Sequence, residues 1–190
     1  MALLVADASP VVGFVAAGEH HLLWQVVSNV YGQLLVPHHV DGEISRIAAR
    51  TSRRAASNYA WMKEQGQVIV LVEVTVVDPV AATAATLLGV GTRRQFGEHE
   101  KDVGEALTVA HAKHLRAQGQ PADVLVDDSR GQRFADTVQV PSRNTVWVFG
   151  HAIDTGQITT AERLREAYAA VSKHSQLPKL AQTGLLGRLP

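Results

Sequence analysis

Three short apolar runs with no polar residue inside them constrain this chain most. They are Leu3-Leu4-Val5-Ala6, Leu34-Leu35-Val36 and Val124-Leu125-Val126. A strand with one wet face alternates apolar and polar side chains. A run without alternation suits a strand buried on both faces, as in the middle of a parallel sheet. Each run is closed at once, by Asp7-Ala8-Ser9-Pro10, by Pro37, and by Asp127-Asp128-Ser129. Asp or Ser can cap a following helix, and Pro10 fits a first helical turn. Strands alternate with helical stretches along the chain. This predicts an α/β fold, a three-layer αβα arrangement with a mostly parallel central sheet. A length of 190 residues suits one domain, 1–190, with an insertion or extended region around 51–99.

The other elements follow from periodicity. Pro10–Ala17 reads as a short helix ended by Gly18, and His20–Tyr31 as a second. A long helix is expected from about His39 to Lys63, with Arg46, Arg50, Arg53 and Arg54 in one stripe. That stripe is either a solvated face or an electrostatic track for phosphates. Val68–Val77 is β-branched and reads as a strand. Pro79–Leu88 reads as a helix, Gly89–Gly97 as a loop, and Glu100–Gln118 as a clear helix. A short helix is expected to end at Ala135, a last short strand at Val138–Val140, and a helix over Val146–Ile153. Thr159 with Glu162 three residues on resembles a capping box for a final helix to about His174. The tail after Pro178 is expected to be poorly ordered or docked on a partner.

Composition narrows the function. The formal net charge is zero, so only a local patch could attract nucleic acid. The chain has no Cys, which excludes disulfides, thiolate catalysis and Cys-based zinc sites and accords with a reducing cytoplasm, the expected location. No stretch reaches the roughly 20 apolar residues of a membrane helix, and Asp7 interrupts the opening run, so no membrane partner and no signal peptide are expected. His20-His21, His38-His39 and the pair His111 and His114 could suggest zinc, but no third ligand is evident beside His111 and His114, and surface or interfacial histidines are the expectation.

The acids share one grammar. Asp7 and Asp127 each follow a buried strand, and Glu43 and Glu105 each lie near a helix start. In open α/β sheets the functional crevice lies beyond the carboxyl ends of the strands. Four carboxylates meeting there repel one another unless a cation neutralises them. Hard oxygen donors without thiolate favour Mg²⁺ or Mn²⁺, and the usual work of such a site is phosphodiester hydrolysis. Asp102 lies one turn before Glu105, and Asp128 follows Asp127, so each is a further candidate ligand. Each of these acids also has an ordinary reading as a helix cap or a charge at a helix start.

Motifs join these acids to a family. After the acid and Ser9 of the first strand comes Pro37, Val40 and Glu43, the spacing P-x-x-V-x-x-E. DVGEALTVAHA carries a "GEA" helix with Glu105, VLVDDSRGQRFA a "DD-x-x-x-R-x-x-A" segment with Asp127, and VPSRNTVWVFGHAIDTGQIT a "GxI" turn. In this order they resemble the PIN-domain family, the fold of the VapC-like toxin ribonucleases. The resemblance implies a PIN-like fold and a metal-dependent endoribonuclease in which Asp7, Glu43, Glu105 and Asp127 hold Mg²⁺ or Mn²⁺. Ser9 would hydrogen-bond Asp7 or a water on the metal, or else cap the helix, and Arg46, Arg50, Arg130 and Arg133 would contact the RNA backbone. Arg133 pairing with a nearby carboxylate is the competing structural role. The resemblance further implies a cognate antitoxin and a homodimer. A catalytically silent module that binds RNA or protein is the rival reading. A phosphatase using Asp7 as nucleophile would want a second Asp at position 9, where this chain has Ser9.

Overall fold

The computed structural model describes residues 2–74, 78–89 and 100–190. The strands are β1 (Leu3–Ala6), β2 (Leu34–Val36), β3 (Val68–Val70), β4 (Ala122–Leu125) and β5 (Ser142–Arg143). They form one parallel sheet in the order β3-β2-β1-β4-β5. The helices among the described residues are α1 (Ala8–Ala17), α2 (His20–Val30), α3 (His38–Thr51), α4 (Arg53–Glu64), α5 (Pro79–Leu88), α6 (Glu100–Ala117), α7 (Ser129–Thr137), α8 (Thr145–Asp154) and α9 (Ala161–Ser172). None is long and apolar enough to cross a membrane.

The unalternating runs are buried on both faces, as their composition requires. Leu4, Ala6, Leu34, Val36 and Leu125 join one core with α1, α2, α3, α4, α8 and α9. Val5, Leu35 and Val124 point the other way, into a core shared with α6 and α7, and α5 packs on the outside of α6. The result is a three-layer αβα fold. The chain steps outward from β1 to β2 and β3, then returns to place β4 on the opposite side of β1. That reversal opens a crevice between the carboxyl ends of β1 and β4. Ala6 pairs with Leu125, and the Asp7 amide donates to Leu125 O at 3.0 Å. Asp7 and Asp127 therefore leave the sheet at its central pair.

Several expectations need correction. The long helix is two helices, because Ser52 is extended (φ −170°, ψ 158°) and its side chain caps α4 by accepting from the Ala55 amide. The arginine stripe is split with it. Arg46 and Arg50 stay exposed on α3, whereas the Arg54 guanidinium lies against Gly18, between α1 and α2. The strand at Val68–Val77 is regular only to Val70, with Leu71 still bonded to Val36 O, and its residues 75–77 lie outside the described ones. The expected loop lies outside them as well, past Gly89. Val138–Val140 is not a strand; Gln139 takes a left-handed conformation (φ 58°), and the edge strand follows at Ser142. The cap of α9 is Thr160, which accepts from the Arg163 amide. The tail docks on its own chain. Leu185 is buried, Tyr168 donates to Pro178 O, Arg188 pairs with Asp154, and its guanidinium lies over Gly150 of α8.

The break at Ser52 yields a test. Ser52→Ala removes the acceptor for the Ala55 amide and should cost about 1 kcal/mol in denaturant unfolding, with Ser52→Asp near wild type. An unchanged midpoint for Ser52→Ala would count against the cap.

Candidate functional site

The crevice collects acids from four elements. Asp7 is 5% exposed, immediately beyond β1, and caps α1 through a long bond from the Ser9 amide to Oδ2 (3.4 Å). The cap is therefore Asp7, and Ser9 contributes its N–H. Glu43 comes from the second turn of α3: Pro37 precedes this helix, and Val40 and Ile44 anchor it in the core. Glu105 comes from the first turns of α6, with Gly131 of α7 packed on it; a Cβ on Gly131 would lie 3.3 Å from Glu105 Cγ. Asp127 lies two residues beyond β4.

Gly104 shows how close the acids come. A Cβ built on it would stand 3.4 Å from Asp7 Oδ1, 3.4 Å from Glu43 Oε2 and 3.7 Å from Val40 Cγ2. Two carboxylates thus flank a point that a larger side chain would fill. The "GEA" motif puts its glycine where α6 passes closest to these acids, and its acid beside them.

Burial and mutual repulsion govern the charges. Desolvation, then the nearby Glu43 and Asp127 charges, push the Asp7 carboxyl up to about 6, against the pull of the Ala8 and Ser9 amides. Desolvation, with Asp7, Asp102 and Asp128 behind it, pushes Glu105 up to about 7. Asp127 is also raised by burial, opposed by Thr145. Asp7 is the common member, coupled to Glu43, Glu105 and Asp127. Glu105 Oε2 is buried with no hydrogen-bond partner among the described residues.

The other candidates divide. Asp102 Oδ2 is paired with Arg130 Nη1 at 2.6 Å, which links the first turns of α6 and α7. Asp128 is the exposed cap of α7, accepting from the Arg130 amide at 2.7 Å. Asp127 is the acid turned inward. Arg130 also lies over the Phe134 ring. Arg133 lines a groove between α5 and α7 with Thr83, Leu87 and Phe134, and its Nη1 reaches Ser129 Oγ at 3.4 Å rather than a carboxylate. His111 lies outside the acid group, and its Nε2, like Nδ1 of the buried His20, has no hydrogen-bond partner among the described residues, so these two are not surface histidines.

Sequence reasoning missed Thr145. Its N–H donates to Asp127 Oδ1 and its hydroxyl to Asp127 Oδ2, each at 2.7 Å. The signal was Asn144-Thr145 ahead of an apolar helix, which reads as ordinary capping.

The donor set fits a hard divalent cation in charge and atom type: one buried and three partly buried carboxylates, one oxygen without a hydrogen-bond partner among the described residues, and no thiolate. As the side chains stand, no three Asp, Glu or His among the described residues enclose a single ion. The charge is gathered and the coordination shell is not closed. No family model matches the chain, and no curated protein matches it in sequence.

The raised carboxyls have a consequence for stability. Asp7 moves from 3.8 to about 6 and Glu105 from 4.5 to about 7, so the folded chain holds more protons than the unfolded chain across that window. Stability of the ion-free protein should therefore fall as pH rises from about 4 to about 7. Asp7→Asn should stabilise it by roughly 2–3 kcal/mol at about pH 8 and little at about pH 4. Equal shifts at both pH values in denaturant melts would contradict this.

Proposed function

We propose that the chain is a metal-dependent endoribonuclease of the PIN-domain, VapC-like type. The observation that supports it is the meeting of Asp7, Glu43, Glu105 and Asp127 at the sheet's reversal point, with one Glu105 oxygen unsatisfied among the described residues. A partly buried acid group of this density is unfavourable alone and favourable around a cation. Asp7, Glu43 and Glu105 would hold Mg²⁺ or Mn²⁺, with Asp127 contributing the lone pairs that Thr145 leaves free. When bound, the ion supplies charge neutralisation and activates water for phosphodiester hydrolysis.

The protein groups do the rest. Asp7 anchors the set, since its position is fixed by the β1–β4 pairing. Arg130, held by Asp102 beside the mouth, has further N–H donors for a phosphate. Arg46, one turn after Glu43, and Arg50 are exposed on α3, along which an RNA backbone can run. The proposed substrate is RNA, and the proposed partners are a cognate antitoxin and a second copy of the chain, in the cytoplasm.

A second reading, a silent RNA- or protein-binding module, is favoured by the unclosed shell around the acids. RNA cleavage with Mn²⁺ separates the two. The nuclease should lose activity by at least roughly 100-fold in Asp7→Asn and in Glu43→Gln, and with a chelator. Gly104→Val, which places methyl groups between Asp7 and Glu43, should lose it too while staying folded. RNA binding without cleavage, or cleavage equal in wild type and Asp7→Asn, would overturn the nuclease.

A further inference from the structure

We propose that Thr145 is a positioning residue that fixes the Asp127 carboxylate for a divalent ion, an inference that rests on the metal-site reading above. Thr145 is fully buried, at 0% exposure, and it opens α8. Its backbone N–H is one of the donors that a helix start leaves without an intrahelical partner. Its hydroxyl supplies a second donor on the same residue. The two bonds grip both oxygens of Asp127 and so remove the carboxylate's freedom to rotate. Each oxygen keeps further lone-pair capacity.

Thr145 is itself held from both sides. Asn144 caps α8 by accepting from the Trp147 amide at 2.9 Å. Two residues before Thr145, Arg143 pairs with Asp123 at 3.1 Å and donates to Tyr31 Oη at 3.0 Å. Tyr31 in turn donates to Asp123 at 2.6 Å. This clamp ties the two-residue strand β5 to β4 and so sets where α8 begins relative to Asp127. Among the four acids, no hydrogen bond of the described residues holds Glu43, and Glu105 Oε2 has none. The site thus pairs Asp127, held at both oxygens, and Asp7, held by its cap bond, with Glu43 and Glu105 Oε2, which no hydrogen bond of the described residues holds. Groups that orient a ligand without touching the ion typically change affinity about 10- to 100-fold when removed.

The test measures Mn²⁺ affinity of the full chain by titration calorimetry, with melting and RNA cleavage recorded alongside. Thr145→Val keeps the N–H and the side-chain volume and removes the hydroxyl. It should weaken Mn²⁺ binding by roughly 10-fold or more. Thr145→Ser restores the donor and should bind close to wild type. Thr145→Ala is the second hydroxyl-free variant should the valine change prevent folding, with the same loss expected. Wild-type affinity in the hydroxyl-free variant overturns the inference, as does a serine variant as weak as it, since the methyl group would then be what matters. If the wild type cleaves RNA with Mn²⁺ while the hydroxyl proves irrelevant, only the inference fails. If the wild type neither binds Mn²⁺ nor cleaves RNA, the metal-site reading fails and the inference with it.

Discussion

Like charges gathered in a buried crevice are the constraint on which this structure turns. The pairing of β1 with β4 places Asp7 and Asp127 beyond neighbouring strands, and α3 and α6 bring Glu43 and Glu105 to the same end. Hydrophobic packing on both faces of the sheet holds this geometry in place. A core that buries Leu4, Leu34, Leu125 and Phe14 completely can carry a locally unfavourable group, because each such side chain contributes about 1.5–3 kcal/mol. The acids are thus imposed by the fold.

The crevice already has partial answers to its own repulsion. Two carboxyls retain protons well above the ordinary carboxylate range, Arg130 neutralises Asp102, and Thr145 meets Asp127 with two donors. Glu105 Oε2 has no hydrogen-bond donor among the described residues. A cation would complete a balance that protons and hydrogen bonds meet in part. The same logic separates Asp127 from Asp128: one is turned inward and gripped, the other is exposed and spent on a helix cap.

What was legible in the sequence follows from the range of the interactions involved. β1 and β2 were readable to the residue, because burial on both faces leaves an unbroken apolar signature. The end of α1 at Gly18 is local and was readable too, whereas the sequence left its cap open between Asp7 and Ser9. The break at Ser52 was hidden, because the arginine spacing runs through it as if one helix continued; only φ and ψ at Ser52 divide it. β5 was misplaced, because Ser142 and Arg143 have no apolar signature and owe their strand conformation to β4. Thr145 was invisible as a site residue for the same reason: its partner is distant in the chain. Distances within a motif can be read off a sequence, whereas the grip of one motif on another depends on packing.

The register of β1 on β4 has a kinetic consequence. Those two strands are neighbours in space and more than half the chain apart in sequence, so their pairing closes a very long loop. Non-local contacts of this kind are the slow ones to form. Asp7 and Asp127 therefore come together in the same closure that pairs the middle strands of the sheet. Anything that quiets their charge, a proton or a cation, acts on the rate at which the chain becomes native as well as on the finished molecule.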